Sequence, residues 1–284
     1  MPNLVLKTLM PWLKDAPRIA VVRLSGVIAS SGRLGTGVSI AGISHTLDRA
    51  FAIKPAAVAL DINSPGGSAA QSHLIYKRIK TLAADKKLPV FAFVEDVAAS
   101  GGYMIACAAD EIYADENSIL GSIGVISSGF GFTELIGKIG VERRVHAAGE
   151  YKSSLDPFRP EDPGDVERLK AIQADVHRGF IALVKESRGP KLKAGDELFT
   201  GEFWAGQRAV ELGLADGIGD MKGVLEARYG PKVKLVPVGV PRGFLRRQLG
   251  LGAIAPGLSG LLPGLADDAL TALEARSLWS RFGL

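Results

Sequence analysis

Residues Ala57-Val58-Ala59-Leu60-Asp61-Ile62-Asn63-Ser64-Pro65-Gly66-Gly67-Ser68 decide the fold. The run from Ala57 to Ile62 is short and mostly apolar, the pattern of a strand buried on both faces. A Pro-Gly-Gly turn follows at once. Beyond it, Ser68 to Ala84 carries Leu74, Ile75, Ile79 and Leu82 on one stripe at helical spacing. A strand delivered through a glycine turn into a helix is the repeating unit of open α/β sheets, which hold ligands just beyond the carboxyl ends of their strands. Two adjacent glycines allow backbone conformations closed to other residues and let a second molecule approach the main chain. Their N–H groups, at a helix start, suit a developing negative oxygen. An ordinary strand-to-helix turn explains the same letters equally well.

Working outward, the same alternation recurs. Ile19 to Leu24, Val90 to Val94, Glu111 to Ala114, Ile123 to Ser127 and Val141 to His146 read as strands, and Ile40 to Phe51 as a helix. From Asp165 the period lengthens, with Val166, Leu169, Ile172, Val176, Phe180 and Val184 stepping through a long amphipathic helix that ends near Gly189. Glu202 to Leu212 and Met221 to Arg228 read as further helices, and Val233 to Val238 as a last strand. The expected fold class is α/β, a layered fold with a mainly parallel sheet and flanking helices. The expected organisation is an N-terminal arm over residues 1–17, a single domain over 18–239, and a linker with an amphipathic tail over 240–284. Within that last part, Leu265 to Phe282 is the expected tail helix.

Composition narrows the function. The formal charge is +4 over 284 residues, with Lys and Arg scattered, so nucleic acid is not an expected partner. The single cysteine, Cys107, excludes an intrachain disulfide and a cysteine-based metal site, and neither a metal nor a cofactor is expected. Leu4 to Leu13 is apolar but broken by Lys7 and Pro11, well short of the ~20 residues a membrane-spanning helix needs. With no cleavage site after it, the expectation is a cytoplasmic chain without signal peptide or transmembrane helix, its arm free to touch a membrane surface.

The strand Val90 to Val94 leads into Glu95-Asp96-Val97-Ala98-Ala99-Ser100-Gly101-Gly102-Tyr103. Ser100 lies among small residues at a helix start, where its hydroxyl could act as a nucleophile or simply cap the helix. A nucleophile needs a base. His45, His73, His146 and His177 leave a Ser-His-Asp arrangement open, because triads are defined by geometry and not by order. Lysine is the other known partner of serine, provided desolvation lowers its pKa from roughly 10.4. Lys152 sits in a loop of small and aromatic residues, Gly149 to Phe158, but a solvated surface lysine fits that loop too.

Four segments in order carry a resemblance: Asp61 to Ser68, Ala99 to Tyr103, Gly121-Ser122-Ile123-Gly124-Val125 and Tyr151-Lys152-Ser153. Phe199-Thr200-Gly201, Gln207-Arg208-Ala209 and Leu212 to Asp216 extend it. Over about Arg18 to Gly230 the chain resembles the signal peptide peptidase A family, Ser-Lys serine proteases with a Clp protease and crotonase-like fold. The resemblance implies Ser100 as nucleophile, Lys152 as general base, and Ser122 holding the lysine amine. It assigns the oxyanion donors to Gly66 and Gly67, with Gly101 beside the nucleophile. It also implies peptide substrates, hydrophobic or signal-peptide-like, no cofactor, and a ring or dome homo-oligomer in which serine and lysine come from one chain or from neighbours. Relatives commonly carry an N-terminal membrane anchor, which is not evident here. Two other functions fit the same fold. A crotonase-type acyl-CoA enzyme would need a carboxylate such as Glu111, Glu116 or Glu134, and a non-catalytic ring would only bind peptides.

Overall fold

A computed structural model of the chain describes residues 16–30, 37–239, 273 and 275–284. Its strands are β1 (Arg18–Ser25), β2 (Ala57–Ser64), β3 (Val90–Ala99), β4 (Glu111–Ala114), β5 (Ile119–Gly121), β6 (Phe203–Ala205), β7 (Gly217–Ile218) and β8 (Lys234–Pro237). The helices are α1 (Ile40–Ala52), α2 (Ala69–Lys86), α3 (Gly101–Ala106), α4 (Thr133–Lys138), α5 (Pro163–Arg188), α6 (Gly206–Glu211) and α7 (Met221–Tyr229). One sheet runs β6-β5-β3-β2-β1-β8, with β4 attached to β3 and β7 to β4. Every pairing is parallel except β5 with β6.

The apolar run that begins β2 is buried on both faces, as a central parallel strand must be. Leu60, Ile62, Ala92 and Val94 join the large core beneath α1, α2 and α3, which Phe180, Leu183 and Val184 of α5 complete. On the opposite face Ala57, Ala59, Phe91 and Phe93 pack under Leu225 of α7. Helix starts are capped locally: Ser68 accepts from the Gln71 N–H, Asp162 from Asp165 and Asp220 from Gly223, each satisfying a donor the first turn leaves free.

One irregularity positions the site. Ile62 pairs with Val94, but Ser64 pairs with Ala98, so Glu95, Asp96 and Val97 of β3 bulge opposite Asn63 alone. The Asn63 side chain fills the gap. Its Oδ1 accepts the Val97 N–H at 3.3 Å, and its Nδ2 donates to Asp96 Oδ2 at 2.7 Å. The bulge carries β3 past the end of β2 and delivers Ser100 beyond the sheet.

Several elements differ from the sequence reading. The strand expected over Ile123 to Ser127 lies earlier, at β5, because positive φ angles at Gly121 and Ser122 turn the chain out of the sheet there. Val141 to His146 forms no strand and is exposed. Its β-branched letters have no neighbouring strand to pair with, and β propensity decides little without one. Glu202 to Leu212 divides into β6 and α6. The stripe on α5 is buried only in its second half, while Ile172 is 61% exposed. The stretches 1–15 and 240–272 lie outside the described residues, and with them most of the expected arm, the linker and the start of the tail helix.

The C-terminal end of α5 is tied down by a buried ion pair. The Arg188 side chain is 1% exposed, and its Nη1 meets Asp216 Oδ2 at 2.7 Å while Nε donates to the Gly213 carbonyl at 3.0 Å. Asp216 also accepts the Ile112 N–H and the Lys191 ammonium, each at 2.7 Å. Burial alone would raise the Asp216 carboxyl, but the Arg188 and Lys191 hydrogen bonds outweigh it and hold the group below its usual value. A depressed carboxyl stabilises the fold above its unfolded pKa, about 4, and that contribution fades as pH falls through the lower folded value. Arg188→Ala is expected to cost up to about 3 kcal/mol, by removing the buried partner of the carboxylate and leaving it to Lys191 and the Ile112 N–H. Urea melts of both proteins from neutral to acid pH check this: the gap should be full at neutral pH and narrow on acidification.

Candidate active site

Ser100 is the hinge between β3 and α3. Its φ of 52° and ψ of −119° are rare for an L-residue, a conformation that costs on the order of 1–3 kcal/mol and persists only where its surroundings enforce it. The Ser100 N–H donates to the Gly121 carbonyl at 2.8 Å, and its carbonyl accepts from the Met104 N–H at 2.9 Å. The hydroxyl makes no capping bond to α3 and no other hydrogen bond among the described residues. The capping role that serine commonly plays at a helix start is therefore not played here.

The Pro-Gly-Gly turn lies directly against this hinge. A methyl group added at Gly66 would sit 2.8 Å from Ser100 Cβ and 2.9 Å from the Gly101 nitrogen, so only glycine allows the approach. Gly67 is held from the other side. The Ile28 N–H donates to the Gly66 carbonyl at 2.8 Å, and the Ser68 N–H donates to the Ile28 carbonyl at 2.7 Å. The Gly66 N–H is engaged, donating to Ser64 Oγ at 3.2 Å. The Gly67 and Gly101 N–H groups have no hydrogen-bond acceptor among the described residues. The Ser100 hydroxyl and two backbone donors without an acceptor among the described residues thus share one corner of the molecule.

Ser122, which follows β5, is 6% exposed and also has positive φ; its N–H donates to the Glu202 carbonyl at 2.6 Å. Lys152 stands apart from this geometry. It is exposed, on a turn closed by its own N–H to the Gly149 carbonyl at 3.3 Å. That turn is pinned to the start of α5: the Arg168 guanidinium lies 4.0 Å from the Tyr151 ring centroid, and the Leu155 N–H donates to Asp165 Oδ2 at 3.1 Å. Among the described residues no hydrogen bond joins Lys152 to Ser100 or Ser122. The structure therefore brings together Ser100, Gly66, Gly67 and Gly101, and leaves Lys152 exposed, without a hydrogen bond to any of them among the described residues.

Other candidates are placed less favourably. His45, His73 and His146 are exposed, and His177 Nε2 lies 3.1 Å from the Ile123 carbonyl; none bonds Ser100. Glu111 is clamped by both Nη atoms of Arg228 at 2.6 and 2.9 Å, while Glu116 and Glu134 are exposed. Cys107 is fully buried, and burial pushes its thiol up to about 12, so it stays protonated and inert. No cluster suited to a metal ion occurs among the described residues. Sequence reading missed Ile28, Ser64 and the carbonyl of Gly121 as parts of the site. Ile28 carries little signal, because it holds the glycine turn through its backbone N–H and carbonyl.

Peptidase family S49 matches residues 83–230, a span that includes Ser100, Ser122 and Lys152. A putative protease of Synechocystis sp. is 32% identical over 82% of this chain and 83% of its own length. The chloroplastic serine protease SPPA of Arabidopsis thaliana is 31% identical over 88% of this chain, but over 39% of its own length. The Na(+)/H(+) antiporter NhaA of Brucella abortus is 50% identical over 99% of this chain; the chain spans 39% of that protein. A solved membrane-bound stomatin-specific protease, in complex with a substrate peptide, shares the fold at a TM-score of 0.50 and 17% identity, covering 84% of this chain and 98% of its own. With a strained serine set against a double-glycine turn and a family match over more than half its length, the chain belongs to peptidase family S49, the serine peptidases of the signal peptide peptidase A type.

Proposed function

We propose that this chain cleaves peptide bonds with a Ser100–Lys152 dyad. The observation that carries the reading is the unengaged Ser100 hydroxyl, held in a strained turn beside two unengaged backbone donors. Lys152 Nζ, uncharged, takes the Ser100 Oγ proton as Oγ attacks the substrate carbonyl carbon. The resulting oxyanion rests on the Gly67 and Gly101 N–H groups, while Gly66 keeps the approach open. The lysine ammonium then passes its proton to the leaving amine as the C–N bond breaks, and water repeats the cycle on the acyl-enzyme. Ser122 accepts a hydrogen bond from the lysine amine and orients it.

Lys152 must lose its solvent shell to do this, and a second copy of the chain supplies the cover. The arm that bears Lys152 exposes Phe130 at 81%, Ile126 at 67% and Ile139 at 66%, an apolar surface of the kind that marks an interface. Serine and lysine then meet within one chain or across the boundary. The substrate is a hydrophobic, signal-peptide-like segment. The setting is cytoplasmic at a membrane surface, in keeping with an antiporter and a membrane-bound protease among the similar proteins. No helix among the described residues is long and apolar enough to cross a membrane.

The test is mass spectrometry after treatment with a fluorophosphonate. Wild type should carry one adduct, on Ser100, and Lys152→Ala should remove it. Equal mixtures of Ser100→Ala and Lys152→Ala chains should regain labelling if the dyad is shared between copies and stay silent if it is not. An adduct elsewhere, or one indifferent to Lys152, rejects the mechanism.

A further inference from the structure

Among the described residues, no helix of the main domain joins the apolar cluster on the face of the sheet below Ser100. β3 turns Val97 and Ala99 to that face, and both are fully buried. Their cover comes from the far end of the chain. Phe282 packs against Val97 and Ala99 with Ile119 of β5 and Trp279 beside it, and is itself only 7% exposed. Its ring meets Phe203 of β6 edge-on, centroids 5.0 Å apart and planes inclined by 71°. The segment is closed on itself, the Phe282 and Leu284 N–H groups donating to the Trp279 carbonyl at 2.9 and 3.4 Å. Phe282 thus touches the three strands that meet at the hinge: β3, which ends in Ser100; β5, whose Gly121 carbonyl holds the Ser100 N–H; and β6, which pairs with β5.

We infer that Phe282 is a positioning residue for Ser100, a plug from the C-terminal segment that keeps the nucleophile's strand and its hydrogen-bonding partner in register. A backbone conformation this strained is retained only when the structure around it leaves no alternative. The glycine turn closes one side of the hinge and β5 another, and the residue immediately before Ser100 is fixed from below by the Phe282 ring. Without that ring, Ala99 and Val97 are free to shift, and Ser100 relaxes toward ordinary φ. The hydroxyl then leaves its place beside the Gly67 and Gly101 donors. Geometry rather than substrate binding is lost, so the turnover rate should fall with KM little changed.

This inference rests on Ser100 being the nucleophile, and the experiment separates the two. The rate of Ser100 labelling by a fluorophosphonate is followed in the full-length wild type, Phe282→Ala and Phe282→Leu, together with kcat, KM and thermal melts. Phe282→Ala should label more slowly by between about tenfold and a hundredfold, the scale of a misplaced reacting group. Phe282→Leu, which keeps much of the apolar contact, should recover most of the rate. A Phe282→Ala protein that labels as fast as wild type overturns the inference, as does a rise in KM at unchanged kcat. If Phe282→Ala does not fold, Phe282→Val, which keeps less of the contact than leucine, decides: folded with wild-type labelling overturns the inference, folded with slower labelling supports it. Failure of the wild type to label at Ser100 would reject the catalytic reading instead.

Discussion

Ser100→Ala is expected to remove peptide cleavage while leaving the fold as stable as before. The hydroxyl makes no hydrogen bond among the described residues, so its deletion breaks none there, and alanine bears the same positive φ as serine. Losing the nucleophile of a serine peptidase typically lowers turnover by about five to six orders of magnitude, the residue coming from the oxyanion donors and substrate binding alone. Two readouts are needed: kcat/KM on an apolar peptide, and a thermal melt. Undiminished cleavage would disqualify Ser100. A collapse of the melt would mean that the hydroxyl has a structural partner after all.

Gly67→Ala should be damaging in both respects. A methyl group there would lie 2.1 Å from the Ile28 carbonyl oxygen, an overlap that backbone must move to relieve, and the φ of 139° is unfavourable for alanine. Moving Ile28 away breaks its bonds to Gly66 and Ser68, and the freed turn no longer holds the Gly67 N–H, the proposed oxyanion donor, in place. Loss of one oxyanion donor lowers turnover by about a hundredfold to a thousandfold, and the strain should lower the melting temperature as well. Gly129→Ala is the control, since nothing lies within 4 Å of a methyl group there. Equal behaviour of the two variants in kcat and in melts would contradict the proposed role of the turn.

The sheet was legible because its strands carry their own evidence. The runs at Ile19, Ala57, Val90 and Glu111 each begin a strand within one residue of the expected start, though β3 continues to Ala99, well past its expected end at Val94. Val141 to His146 has similar letters and forms none, because strand formation depends on a partner that the local sequence does not encode. The serine and the glycine turn could be located from the residues themselves, since small residues at a strand-to-helix junction have a physical use. Lys152 could not be chosen that way, nor does a single chain explain it; its candidacy comes from the family resemblance. The contributions of Ile28 and Gly121 are made by main-chain atoms, which any residue possesses. Phe282 was hidden by distance, lying far along the chain from the strand it covers.

The bulge in β3 also obeys a parity rule. Between its pairings with Ile62 and Ser64 of β2, β3 advances four residues while β2 advances two, a surplus that is even. Side chains alternate with a period of two, so Val97 and Ala99 stay on the same face as Phe91 and Phe93. A one-residue deletion at Glu95 or Asp96 should therefore be more harmful than its exposed position suggests, because it removes part of the slack by which β3 overruns β2 and reaches Ser100.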